Sequence, residues 1–321
     1  MMILITGANG FVGSALLSRL NANSIRVLGR KLPSDFLADR FYKQEINHFE
    51  DYSRALSNGV ETVIHLAARV HVMDDKVTNP LEEYRNTNVY GTMNLARQAV
   101  KAGVKRFIFL SSIKVSGEST EREMPFCSFS DYCPEDYYGV SKAEAEKELF
   151  KLAKETGLEV VVIRPTLVYG PGVKANFASL LDLVYKGIPL PFSFIDKNKR
   201  SLVSVDNLVD LIVTCIEHPN AVNQVFCVTD DKDVSTSDLV YKLCLALDKK
   251  TWQIPVPIWL FKLIGKILNK TSVVERLTNS LQVDITHTKQ TLAWVPPQTL
   301  EDGLKKTADA FIHSKISRGS K

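Results

Sequence analysis

"MILITGANGFVGSALLSRL", Met2 to Leu20, decides how the rest of the chain is read. Met2–Thr6 is a short apolar run with β-branched residues, closed by a glycine, and predicts a buried strand. "FVGSALLSRL" then predicts a helix. Between and across the two stand Gly7, Gly10 and Gly13. Gly7 permits the tight turn, Gly10 lets the backbone approach a pyrophosphate, and Gly13 lets the helix pack closely on a sheet. The helix start, with Phe11 and Val12, offers free N–H groups and partial positive charge to phosphates. The spacing is GxxGxxG rather than GxGxxG, and a structural turn accounts for many lone glycine patterns. Here a strand precedes it and a helix follows, which points to dinucleotide binding.

The same alternation continues. "SIRVLGR", "FYKQEI", "ETVIHLAA", "KRFIFLSS" and "LEVVVIRP" read as further strands, the last ended by Pro165. "LEEYRNTNVYGTMNLARQAVKAG" and a run from Tyr138 to about Thr156 read as the helices between. The expected class is α/β, a Rossmann-type doubly wound parallel sheet with a smaller C-terminal substrate-binding lobe. Residues 1–165 form the dinucleotide-binding domain in this reading, 166–321 mostly the lobe, and 201–229 return to the sheet. Ligands in such folds sit at the carboxyl ends of the strands.

Composition limits the partners. The 321 residues carry 40 Lys plus Arg against 36 Asp plus Glu, a net charge of +4, which is too small and scattered to argue for nucleic acid. Five cysteines without ligand spacing argue for a reducing compartment and against a disulfide framework, and six unclustered histidines give no metal site. No secretory signal is apparent in the sequence. "IPVPIWLFKLIGKILNK" (Ile254–Lys270) is interrupted by lysines and falls short of the ~20 residues of a membrane span. It reads as an amphipathic helix packed on the protein, with docking on a membrane surface as the alternative.

Two tyrosines precede a lysine in "CPEDYYGVSKAEAEKEL" (Cys133–Leu149). Tyr138 and Lys142 are four apart and share a helix face, whereas Tyr137 does not share it. An ammonium beside a phenol favours the phenolate, so this pair suits proton exchange with a sugar hydroxyl. Lys142 can also hold the nicotinamide ribose. Tyr137 is left as a packing or cleft-lining residue. "FLSSIKVSG" ends a strand in hydroxyls, and Ser112 is placed to orient the reacting oxygen. At the end of the second strand an acid would select NAD. Gly29 stands there, with Arg30 and Lys31 next, so the cofactor is NAD(P) and the pair favours NADP unless it is merely a solvated basic pair.

Glycine loop, "HLAA", Ser112, Tyr138-x-x-x-Lys142 and "RPTLVYGPG" occur in one order. The chain resembles the extended short-chain dehydrogenase/reductases, in their nucleotide-sugar epimerase/dehydratase branch. The resemblance implies that Gly7, Gly10 and Gly13 hold the pyrophosphate, and that Glu45 and Ile46 lie by the adenine. It places Leu66, Ala67 and Ala68 along the cofactor cleft and Pro165 near the nicotinamide. Asn88 would brace the central helix. Asn176 would touch the sugar diphosphate, and Arg200 and Arg276 would bind its phosphate oxygens. It makes Ser112 and Tyr138 catalytic, supported by Lys142.

Dehydratases of the branch carry Asp-Glu where Ile113 and Lys114 stand, which argues against dehydration. The hexose 4-epimerase pattern "VYG" is replaced by Val115, Ser116 and Gly117. The expected activity is 4-epimerisation of a UDP-hexose or UDP-N-acetylhexosamine through NAD(P). The alternatives are one-way NADPH reduction of a UDP-4-keto-6-deoxy-N-acetylhexosamine, and a non-catalytic NADP sensor. A cytoplasmic homodimer, paired through Leu81–Lys101 and Tyr138–Lys154, completes the expectation.

Overall fold

The computed structural model describes residues 1–70, 79–121 and 123–319. Its strands are β1 (Met2–Thr6), β2 (Ile25–Gly29), β3 (Phe41–Lys43), β4 (Val60–His65), β5 (Arg106–Leu110), β6 (Glu159–Pro165), β7 (Leu167–Tyr169), β8 (Arg200–Ser204), β9 (Gln224–Val228) and β10 (Asp233–Val234). Seven of them form a parallel sheet in the order β3-β2-β1-β4-β5-β6-β9. The order reverses direction between β1 and β4, and a ligand crevice opens at such a switch point.

Alternation along the strands builds two cores. Ile3, Ile5, Ile64, Ile108, Val161 and Ile163 face the helices Phe11–Leu17 and Val205–Glu217. Leu4, Val63, Phe107, Phe109, Val160 and Val162 face the helices Thr92–Lys101 and Tyr137–Thr156. With both faces covered, the strands read as nearly continuous apolar runs. The helix Pro80–Arg85 continues into Thr92–Lys101 through a π turn at Asn86–Gly91.

β7, β8 and β10 make a second, three-stranded sheet. Its core gathers Tyr169, Phe177, Leu181, Leu202, Leu243 and Leu304. Within 201–229, the helix Val205–Glu217 and β9 lie on the main sheet, but β8 belongs to the smaller one. The polypeptide therefore returns to the main sheet after β8. Buried Asp230, just past β9, accepts from Tyr169 Oη at 2.7 Å and from Ser204 N at 2.8 Å, which locks the two sheets together.

Ile254–Lys270 departs from its expected packing. The helix Ile258–Ile267 turns Leu260, Phe261 and Gly265 toward the protein and leaves most of its apolar residues exposed. Among the described residues no helix is long and apolar enough to cross a membrane.

Candidate active site

The glycine loop joins β1 to the helix Phe11–Leu17 at the switch point. Gly10 N donates to Gly7 O at 2.9 Å, and Ser14 N to Gly10 O at 2.9 Å. Gly10 caps the helix without a side-chain hydrogen bond. The N–H groups of Phe11, Val12 and Gly13 thus precede the first intrahelical bond. Gly7 has φ +74°, and a Cβ there would meet Ala67 N at 2.6 Å. At Gly13 a Cβ would meet Gly7 O at 2.2 Å. The loop closes on the Leu66–Ala68 segment, where Ala67 N reaches Thr6 Oγ1 at 3.2 Å. Next to β2, a Cβ on Gly29 would meet nothing within 4 Å. Buried Thr166, directly after Pro165, has an Oγ1 without a hydrogen-bond partner among the described residues. A loop shaped for a pyrophosphate and an orphan hydroxyl beside Pro165 fit a dinucleotide.

Asp136 caps the helix Tyr137–Thr156 by accepting from Gly139 N at 2.6 Å. Lys114 bridges Asp136 and Glu118, at 2.6 Å each, so the loop after β5 is pinned to the helix start. A Cβ on Gly139 would meet Lys114 O at 2.7 Å, so close approach of loop and helix requires glycine. This packing sets Ser112, whose Oγ caps the short 3-10 turn Ile113–Val115, beside the entrance of the helix. Lys114, standing where a dehydratase acid would be, is thereby committed to ion pairs.

Tyr138 is half-buried and Lys142 only 1% exposed, on one helix face as spacing requires. Lys142 Nζ donates to Leu110 O at 2.7 Å and lies 5.9 Å from the Tyr138 ring centroid. Burial pushes the Lys142 ammonium down to about 7, against the pull of Glu146. Burial also raises the Tyr138 phenol, with Asp136 and Tyr84 adding to it. The sequence expectation of a phenol lowered by its lysine is therefore corrected. Desolvation outweighs the ammonium, and that ammonium is itself weakened and directed at a carbonyl. Tyr137 is 52% exposed and lies outside the core.

Asn88, fully buried in the π turn, donates to Ser141 Oγ at 2.9 Å and to Arg69 O at 3.0 Å. It ties the Tyr138 helix to the segment after β4. π turns of this kind recur at functional sites. His65 bonds Thr6 Oγ1 at 2.8 Å and Thr92 Oγ1 at 2.9 Å, and burial, then Lys142, lowers its pKa to about 3. It is a neutral structural bridge under the crevice.

Sequence reasoning passed over the carboxylate behind the lysine. Glu146 is fully buried, one turn beyond Lys142. It accepts from Arg164 Nη2 at 2.7 Å, from Tyr132 Oη at 2.9 Å and from Ser111 Oγ. Arg164, the residue before Pro165, is 2% exposed. The i, i+4 spacing of Lys142 and Glu146 was the available signal. Its partner on β6 lies 18 residues away in sequence and gives none.

In the second lobe Arg200 Nη1 donates to Arg276 O at 2.9 Å, so the two candidate arms are neighbours. Arg200's pKa is lowered, first by burial and then by the Arg276 charge. Arg276 pairs with Glu118 at 3.5 Å, which links the arms to the loop after Ser112. Asn176 is exposed near the start of the helix Ala175–Tyr185. Glu45 is exposed, and Ile46 packs where a Cβ on Gly91 would meet it at 2.8 Å. Arg30 is exposed, with no ion pair among the described residues.

Residues 3–228 match the model of the NAD dependent epimerase/dehydratase family. The chain belongs to that family. Within it, the chain is 56% identical to a UDP-glucose 4-epimerase of Vibrio cholerae over 97% of this chain and 96% of the relative. It is 29% identical to an Escherichia coli O157:H7 N-acetyl-alpha-D-glucosaminyl-diphospho-ditrans,octacis-undecaprenol 4-epimerase, over 98% and 96%. The Thermotoga maritima UDP-glucose 4-epimerase, solved with UDP-glucose, superposes with a TM-score of 0.76 at 27% identity, covering 98% of this chain and all of that one.

Proposed function

We propose that this NAD-dependent family member is a nucleotide-sugar C4 epimerase acting on a UDP-hexose or UDP-N-acetylhexosamine. The observation that carries the reading is the Tyr138–Lys142 pair, with Lys142 bonded to the last carbonyl of β5 two residues before Ser112. The loop of Gly7, Gly10, Phe11, Val12 and Gly13 would hold the pyrophosphate. Leu66, Ala67, Ala68, Ile46 and Pro165 would line the cleft, and Lys142 would take the ribose. Bound there, NAD supplies the hydride acceptor and donor for C4. Ser112 hydrogen-bonds the sugar O4, and Tyr138 takes its proton and later returns one. Because burial favours the neutral phenol, ionising Tyr138 calls for positive charge brought in with the ligands. Arg200 and Arg276, two cations held side by side, receive the diphosphate, with Asn176 at its edge. Turnover of UDP-glucose and UDP-N-acetylglucosamine by wild type and Tyr138→Phe tests this reading.

We read Arg30, directly after β2, as the residue that would face the 2′ position of the adenosine ribose in place of an acid. Arg30 therefore favours a 2′-phosphate, and the site takes NADP as well as NAD. Arg30→Asp is expected to weaken NADP binding at least tenfold relative to NAD, measured by titration calorimetry. An unchanged ratio assigns Arg30 to solvent. Net NADPH consumption with a 4-keto sugar would favour the one-way reductase.

Five free cysteines suit a cytoplasmic location. For a homodimer, the helices Pro80–Arg85, Thr92–Lys101 and Tyr137–Thr156 are the proposed interface. A concavity of about 640 Å³ between them is lined by Tyr90, Arg97, Glu144 and Lys147 and by none of Ser112, Tyr138 and Lys142.

A further inference from the structure

We propose that the second lobe docks on an anionic lipid bilayer through the outward face of the helix Ile258–Ile267. The inner side of this helix is fixed. Phe261 stacks on Phe192 with ring centroids 6.0 Å apart, and a Cβ on Gly265 would meet Val274 Cγ2 at 2.6 Å. The outer side is apolar. Trp259, Leu263 and Ile267, at i, i+4 and i+8, are 65%, 49% and 70% exposed, with Ile264 and Leu268 exposed beside them. Trp252 and Ile254, in the segment before the helix, are exposed as well. Scattered exposed apolar residues are ordinary, but a continuous patch marks an interaction surface.

Charge selects the occupant. Lys249, Lys250, Lys262, Lys266 and Lys270 fall between Lys249 and Val274, a stretch with no Asp or Glu. Lys250, Lys262, Lys266 and Lys270 are exposed and have no ion pair among the described residues. By helical spacing, Lys262 and Lys266 run along one edge of the Trp259–Ile267 stripe. Such a helix lies in the plane of a membrane surface, with apolar side chains at the acyl boundary, tryptophans at the interface and lysines among anionic headgroups. A second copy is a poor match, because a two-fold contact would set the lysine-edged stripe against itself. Gly265 packs on Val274, two residues before Arg276. The docking helix therefore packs, on its inner side, against the helix Thr271–Thr278 that carries Arg276. The inference stands independently of the sugar-nucleotide reading.

Co-sedimentation of the full chain with vesicles tests it. One set is phosphatidylcholine alone, and the other contains roughly one third phosphatidylglycerol. The expected result is at least tenfold stronger partitioning to the anionic vesicles, weakened by salt, with a blue shift of tryptophan emission. Trp259→Glu and the pair Lys262→Glu/Lys266→Glu are each expected to lower partitioning at least tenfold, with circular dichroism and turnover of soluble substrate unchanged. Equal or absent binding to both vesicle types overturns the proposal, as does binding that these variants leave intact. A concentration-dependent dimer abolished by Trp259→Glu would instead assign the face to a second copy and overturn it.

Discussion

Replacing Glu146 with glutamine keeps its shape and removes its charge at a fully buried place. The carboxylate is fully buried and accepts from four donors, Ser111 Oγ, Tyr132 Oη and the Nε and Nη2 of Arg164. A glutamine amide turns two of those donors against its own N–H groups. The Arg164 guanidinium, 2% exposed, is left charged and short of a counter-ion. Breaking one side of such a buried pair costs about 3–5 kcal/mol. Much of that cost belongs to the stranded partner, so Glu146→Gln and Arg164→Met should not add. The double variant should lose at least about 2 kcal/mol less than the sum of the singles. Urea unfolding followed by circular dichroism at pH 7 gives all four corners of the cycle. Single losses under about 1 kcal/mol, or additivity within about 0.5 kcal/mol, would refute the argument that this pair is energetically coupled.

Lys142 gives a pH-dependent prediction. Its pKa, ordinarily 10.5, is brought to about 7 by burial. Between those values the unfolded chain holds a proton that the folded chain gives up, so stability rises with pH. Relative to Lys142→Met, wild type should gain up to roughly 3.5 kcal/mol between pH 7 and pH 10 in nucleotide-free urea titrations. Parallel curves for the two proteins would exclude the depressed lysine. Gly13→Ala forces a Cβ to within 2.2 Å of Gly7 O, so the loop must move. The expected loss is about 1–3 kcal/mol in thermal unfolding, accompanied by loss of bound dinucleotide.

The fold was legible because β1, its glycines and the following helix are local features, and because strands buried on both faces write themselves as apolar runs. Helical spacing chose Tyr138 over Tyr137, and the structure places Tyr138 half-buried and Tyr137 outside. The phenol's direction of shift was not legible, since spacing reports the neighbouring lysine but not how deeply both are buried. Glu146–Arg164 and Lys114–Asp136 join residues distant in sequence, and nothing local announces them. Ile254–Lys270 was read as packed because apolar helices usually turn inward. Here Leu260, Phe261 and Gly265 face inward, and Ile258, Trp259, Leu263, Ile264 and Ile267 are left exposed.

The central claim is that Tyr138 moves the proton at the sugar O4. Interconversion of UDP-glucose and UDP-galactose, with the N-acetyl pair in parallel, tests it in wild type and Tyr138→Phe. Loss of a positioned acid–base should lower kcat by about 10²–10⁴ with bound dinucleotide retained. Undiminished turnover in Tyr138→Phe would contradict the account.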